Sequence, residues 1–64
     1  MTNNKRTYKT TNPYSGQSEM LTVKEAQLYN LIKQNEEDEN YYEMQKGLDK
    51  FSRLNPKAYM ILLD

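Results

Sequence analysis

The sequence predicts a small α+β domain, in which a short N-terminal β-hairpin is followed by two amphipathic helices and a short buried C-terminal helix. Three observations predict this fold class: a proline–glycine turn between two short segments that are not strongly apolar, a capping box before a periodic segment, and a proline that interrupts a second periodic segment. A chain of 64 residues has room for one domain. We expect that domain at residues 7–64, behind a disordered basic tail at residues 1–6.

The hairpin is predicted from the turn residues at 12–16. Pro13 presets the backbone of a turn, and Gly16 can take the positive φ that closes a bulged hairpin loop. The strands are expected at residues 7–11 and 17–21. Because an isolated hairpin is marginally stable in water, it must pack against the helices.

The first helix has a clear start signal at Thr22, three residues before Glu25. In such a capping box, the Thr hydroxyl and the Glu carboxylate each accept a hydrogen bond from the other residue's backbone amide. The helix is expected to run from Val23 to Gln34 and to end at Asn35, because Asn tolerates a left-handed cap. The predicted buried face consists of Leu28, Tyr29, Leu31 and Ile32.

The second helix is expected after an acidic loop at residues 35–39, with Asn40 as its cap. Its apolar residues fall within an arc of about 140°: Tyr41, Met44, Leu48, Phe51 and Leu54. Gly47 lies in the same arc, where it costs about 1 kcal/mol relative to alanine. We therefore expect another element to approach closely there, with residues 58–63 of the same or a second copy as the neighbour.

The third helix is expected to begin at Pro56, since a residue before proline disfavours the α conformation and Pro suits the first helical position. The segment Ala58–Leu63 is apolar nearly all round. Periodicity alone leaves a buried helix, a buried strand and an interface element open. A self-associating interface here would make the protein a homodimer.

Composition excludes several classes of function. The chain has no Cys and no His, so it lacks disulfides, the nucleophile–base pairs built on these residues and the common zinc ligands. We expect a non-enzymatic protein without metal or cofactor. The longest apolar run has six residues, whereas a membrane span needs roughly twenty. With a polar N-terminus that does not resemble a secretory signal, this predicts a cytoplasmic protein without a membrane partner.

The charges are segregated although their sum is zero. Residues 25–43 are strongly acidic, and both flanking segments are basic. An acidic stretch beside a tyrosine can mimic the phosphates of DNA and occupy a basic groove on a host protein; the alternative is a solvated loop whose acids favour the start of the second helix. The predicted partner-binding residues are Glu36, Glu37, Asp38, Glu39, Tyr42 and Glu43.

A basic stripe along the second helix and beyond predicts an alternative function, nucleic-acid binding. Its residues are Lys46, Lys50, Arg53 and Lys57. The same stripe is also typical of an ordinary polar helix face, supported by Asp49 and Arg53 at i,i+4 spacing, and the nearby acids would repel DNA. A second alternative is a structural or assembly subunit that uses the apolar C-terminus.

Two short segments resemble known families. Residues 21–32 are similar to the opening helix of many winged and helix-turn-helix regulators. Tyr41-Tyr42-Glu43 and Lys46-Gly47-Leu48, preceded by the acidic run, resemble a stretch of the small uracil-DNA glycosylase inhibitors of Bacillus podophages. That resemblance implies a dimeric, phage-encoded DNA mimic that binds a host protein. The abundance of Lys, Asn and Tyr, all with AT-rich codons, also fits a phage or mobile element.

Overall fold

The computed structural model describes residues 5–63 and confirms the predicted α+β fold. An antiparallel hairpin precedes three helices, and the elements are β1 (Tyr8–Thr11), β2 (Ser18–Leu21), α1 (Val23–Glu37), α2 (Tyr41–Leu54) and α3 (Pro56–Leu62). Residues 1–4 of the predicted basic tail lie outside the described residues. No helix within residues 5–63 combines the length and the apolar character needed to span a membrane.

The hairpin has the predicted turn, and each strand starts one residue later than expected. Tyr8 pairs with Leu21 and Thr11 with Ser18. Asn12 organises the loop, because its Oδ1 accepts from the Tyr14 amide at 2.8 Å while its Nδ2 donates to the Ile61 carbonyl at 3.0 Å. This side chain therefore fixes the loop conformation and also ties the loop to α3.

Helix α1 begins as predicted but ends three residues later than Gln34. Thr22 Oγ1 accepts from the Glu25 amide at 3.1 Å, and Glu25 Oε1 accepts from the Thr22 amide at 3.0 Å, which confirms the capping box. Asn35 is not the left-handed cap; residues 35–37 are helical. The predicted acidic loop at 35–39 is thus wrong for these residues, because polar residues that lack a breaker simply continue the helix.

The core lies where the hairpin, α1, α2 and α3 meet, and its buried residues are Leu21, Tyr29, Ile32, Phe51, Ala58 and Leu62. The prediction that Leu31 is buried is wrong, since this residue is 55% exposed. Two residues advance a helix by about 200°, so Leu31 and Tyr29 point to nearly opposite sides of α1. Tyr41 and Leu54, at the edges of the predicted apolar arc of α2, are also exposed.

The close approach predicted at Gly47 is confirmed, but its neighbour is α1. A Cβ atom on Gly47 would lie 2.8 Å from Ile32 Cγ1 and 3.9 Å from Leu28 Cδ1. The expectation that residues 58–63 pack there is wrong. The missing side chain lets the apolar face of α1 reach the backbone of α2.

The C-terminal segment forms helix α3, which excludes the strand among the predicted alternatives. Asn55 has the extended φ of −151° expected before proline, and its Oδ1 accepts from the Ala58 amide at 3.2 Å. Ala58 and Leu62 are buried, whereas Met60 faces away from the core and is 69% exposed.

A buried polar cluster joins these elements at Glu25, which is 5% exposed. Asn55 Nδ2 donates to Glu25 Oε1 at 3.2 Å, and Arg6 donates to the same carboxylate from Nε at 3.3 Å and from Nη2 at 3.2 Å. With the Thr22 amide, the carboxylate accepts four hydrogen bonds. The capping box of α1 and the cap of α3 are therefore one connected network.

This network sets the ionisation of Glu25. Burial alone would raise its pKa, but hydrogen bonds from the Thr22 amide, Arg6 and Asn55, with the positive charge of Arg6, hold the pKa below the ordinary value of 4.5. The charged carboxylate therefore stabilises the fold above pH 4.5, and this contribution is lost as pH falls through the lowered pKa of the folded state.

We predict that Glu25→Gln lowers the free energy of unfolding at pH 7 by about 1.5–3 kcal/mol, since hydrogen bonds to a charged group contribute on this scale. Urea denaturation from pH 7 to pH 3 should show the difference between the two proteins shrinking at acid pH. Parallel pH profiles for both proteins would contradict the assignment of this network.

We predict that Gly47→Ala destabilises the fold by about 1–3 kcal/mol, because the new methyl overpacks against Ile32. Since the contact lies within one chain, the loss should not depend on protein concentration. Thermal melts at several concentrations measure both quantities. Gln45→Ala, at an exposed site of the same helix, is the control and should change stability by less than about 0.5 kcal/mol.

Candidate protein-binding surface

The six predicted partner-binding residues lie around the connection between α1 and α2, and all are exposed. Glu36 and Glu37 form the end of α1, Asp38 and Glu39 the turn, and Tyr42 and Glu43 the first turn of α2. We call these six residues the acidic–tyrosine surface. The chain's longest acidic run is thus placed on a helix end and a tight turn.

The turn itself has an unusual backbone at Glu39, whose φ is +58°. The Glu39 amide donates to the Glu36 carbonyl at 3.1 Å, and the Asn40 amide donates to the Asn35 carbonyl at 2.8 Å. This is the hydrogen-bond pattern of a Schellman motif, in which the left-handed position usually carries glycine. A glutamate there is strained, because its Cβ crowds the backbone.

Asn40 precedes α2 as predicted, but its side chain makes no capping hydrogen bond. Its φ of −90° and ψ of 72° differ from the extended conformation that normally directs a cap side chain at the helix. The Schellman motif imposes this geometry, since the Asn40 amide already bonds the end of α1.

The acidic side chains differ in their partners. Glu36 forms an exposed ion pair with Lys33 at 3.5 Å, and Asp38 accepts from Gln34 Nε2 at 3.3 Å. Within the part of the chain that the structure describes, neither Glu37 nor Glu39 has a cationic partner. Asp38 bonds only the neutral amide of Gln34, so Glu37, Asp38 and Glu39 are the carboxylates of the surface without a cationic partner among residues 5–63.

Tyr42 is 74% exposed and points away from the core. The buried Phe51 lies nine positions further along the chain, which places the two on opposite sides of α2. Lys46 Nζ lies 5.3 Å from the centroid of the Tyr42 ring and 3.8 Å from Glu43 Oε2. The lysine thus links the tyrosine and the glutamate on the outer side of the helix.

The basic stripe is largely neutralised by the chain's own acids. Lys46 pairs with Glu43 at 3.8 Å, Arg53 with Asp49 at 2.9 Å as the spacing predicted, and Lys57 with Glu19 at 4.0 Å. Lys50 has no ion pair with any of residues 5–63. Exposed pairs contribute little to stability, but they reduce the positive potential of this face.

An open groove of about 480 Å³ lies between the hairpin loop and α1. It is lined by Thr11, Pro13, Tyr14, Tyr29, Lys33, Glu36 and Glu37. The spacing of the last four at i, i+4, i+7 and i+8 places them on one helix face, a signal present in the sequence. Sequence reasoning missed Tyr14, because only the folded hairpin brings it to this face.

Sequence reasoning also missed the contact of Arg6 with the folded domain, because it predicts that residues 1–6 form a disordered tail. Its ion pair with Glu25 at 3.2 Å depends on the fold and has no local sequence signal. Among residues 5–63, no group of three or more acidic side chains is placed to hold a metal ion.

Comparisons with models of protein families, with curated proteins and with solved structures found no match to this chain. The segment Tyr41–Leu48, which resembles the glycosylase inhibitors, forms the first turns of α2.

We predict that Glu39→Gly raises the free energy of unfolding by up to about 1 kcal/mol, because glycine adopts the left-handed conformation without the Cβ penalty. Urea denaturation measures the change. Glu39→Gln is the matched control for lost charge, and it should stay within about 0.5 kcal/mol of the original because the strain remains. Equal stabilisation by both variants would assign the effect to charge repulsion instead.

Proposed function

We propose that this chain is a non-enzymatic binding protein that engages a basic surface of another protein through the acidic–tyrosine surface. The observation that carries the proposal is a difference between the acidic–tyrosine surface, which has carboxylates without a cationic partner, and the basic stripe, whose cations are mostly paired. Glu37 and Glu39 have no cationic partner among the described residues, whereas Lys46, Arg53 and Lys57 are paired with acids. Unpaired charge on an exposed surface is available to steer a partner of opposite charge.

The exposed Tyr42 supports the proposal, since tyrosine is enriched among residues that dominate binding energy at protein interfaces. Its ring already contacts the Lys46 ammonium group at 5.3 Å, so it tolerates a cation on its face. A basic partner would meet carboxylates and an aromatic ring on adjacent elements.

The chemistry of the partner follows from the carboxylates. Protein grooves that bind nucleic acid present Lys and Arg to phosphates, and a row of carboxylates offers such a groove the same charge. We infer a DNA mimic that binds, and thereby inhibits, a nucleic-acid-binding protein. The resemblance of residues 41–48 and the Lys-, Asn- and Tyr-rich composition support a phage-encoded protein with a host protein as its target.

Nucleic-acid binding is the second candidate, and Lys50 is the observation in its favour. This residue is exposed and has no ion pair among residues 5–63. Within the described residues, Lys50 is the one unpaired cation of the basic stripe and supplies one phosphate contact, whereas proteins that bind DNA with strong salt dependence make several. The acidic–tyrosine surface includes the start of α2, the helix that carries Lys50, and its carboxylates would also repel the duplex.

We predict that Glu37→Gln combined with Glu39→Gln reduces capture of proteins from a low-GC bacterial lysate, with the immobilised chain as bait. The variant removes two of the three carboxylate charges that lack a cationic partner, so association with basic partners should be slower and weaker. Quantitative mass spectrometry compares the captured proteins. Duplex DNA added in excess should displace the same proteins from the unmodified chain, because a mimic and DNA compete for one groove.

The control is Gln17→Lys combined with Gln27→Lys, which changes the net charge by the same amount at exposed sites away from the surface. Gln27 lies about 15 Å along α1 from Glu37. Equal loss of capture in both variants would show that net charge, and not the acidic–tyrosine surface, causes the effect. Retention of duplex DNA by the chain itself, lost with salt and in Lys50→Glu, would favour the second candidate.

A further inference from the structure

The groove between the hairpin loop and α1 has walls of different chemistry. Pro13 and Tyr14 form the loop side, and Tyr14 is 91% exposed. Lys33, Glu36 and Glu37 form the rim on α1. The groove therefore combines an accessible aromatic ring with two carboxylates, one of which, on Glu37, has no cationic partner among residues 5–63.

Tyr29 provides a buried polar group at this groove. The side chain is 9% exposed and packs against Phe51, with ring centroids 6.5 Å apart. Its hydroxyl makes no hydrogen bond to another described residue, and it is not among the polar atoms that are fully buried without a partner. Tyr29 therefore brings to the groove lining a hydroxyl that has no hydrogen-bond partner among the described residues.

The groove already attracts a cation from the chain itself. Lys33 Nζ lies 5.7 Å from the centroid of the Tyr29 ring and 3.5 Å from Glu36 Oε1. The contact is long and the lysine is partly exposed, so it is weak and readily displaced. The position of this ammonium group indicates that the aromatic and acidic side chains of the groove favour a positive charge.

We propose that this groove is a binding site for one arginine side chain of a protein partner. A guanidinium group is planar, stacks on an aromatic face and donates in a fork that fits a carboxylate. Tyr14 offers the face, Glu37 the carboxylate, and the Tyr29 oxygen a further acceptor. Lysine, a compact and strongly hydrated point charge, uses fewer of these groups.

The inference rests on the proposed function, because Glu36 and Glu37 belong to the acidic–tyrosine surface. It extends that surface across the end of α1 to the hairpin loop, and it names the side chain that enters. Lys33 then acts as an internal competitor, since it pairs with Glu36 and repels an incoming cation. Removal of this lysine should strengthen binding of the ligand.

The test is a ¹⁵N-HSQC titration of the full chain with N-acetyl-arginine methylamide. Saturable shifts should appear at residues 13–15, 29, 33, 36 and 37, with a Kd of about 1 mM, as expected for a ligand of this size. The citrulline analogue has the same shape without the charge. It should bind at least about tenfold more weakly, since it loses hydrogen bonds between charged groups.

Variants assign the shifts to the groove. Tyr14→Ala should weaken arginine binding about two- to fivefold, and Tyr14→Phe should retain it, because the ring face is what contacts the cation. Lys33→Gln should tighten binding about two- to fivefold, the effect expected from removing a like charge about 5 Å away in water. Tyr41→Ala, at an exposed tyrosine outside the groove, should leave the affinity unchanged.

Equal binding of citrulline, shifts centred away from the groove, or no effect of Tyr14→Ala overturns the inference. The lysate capture separates this failure from failure of the proposed function. If capture is lost with the two Glu→Gln changes but not with Tyr14→Ala, the groove is wrong and the acidic–tyrosine surface stands. If arginine binds the groove while those Glu→Gln changes leave capture intact, the proposed function is wrong and the groove stands.

Discussion

The carboxylate of Glu25 is the contact on which the other elements depend. It lies where the N-terminal segment, the start of α1 and the start of α3 meet, and it accepts hydrogen bonds from Thr22, Arg6 and Asn55. A buried carboxylate is costly unless its oxygens are satisfied, so the surrounding donors must keep their positions. This requirement fixes how α1 and α3 are oriented relative to one another and to Arg6.

The orientation of α1 then determines what each of its faces contacts. Ile32 reaches the backbone of α2 at Gly47, while the face that begins with Tyr29 turns toward the hairpin loop. The groove follows from this division, because the loop, tied to α3 through Asn12, remains above the second face. The packing that builds the core therefore also creates the concave surface that we propose as the arginine site.

The connection between α1 and α2 concentrates negative charge in a backbone conformation that lowers stability. Glu39 adopts a conformation that favours glycine, and its neighbours along the turn carry the same charge. Strain and like-charge repulsion both oppose folding, and residues that persist in such positions are frequent at functional sites. The basic stripe shows the opposite arrangement, since three of its four cations are paired. This contrast makes the acidic–tyrosine surface the better candidate for binding.

The sequence by itself determined the features that depend on local chemistry: the hairpin turn, the capping box of α1, the breaks at Asn40 and Asn55, and the close approach at Gly47. It also placed the six candidate site residues on exposed positions. Only the tertiary structure decided the partner of Gly47, the exposure of Leu31 and the ion pair of Arg6 with Glu25, since these require knowledge of which faces meet. The groove is also a feature that only the tertiary structure decided. Tyr14 and Glu37 are far apart in the sequence, and no periodic pattern reports a contact between a loop and a helix.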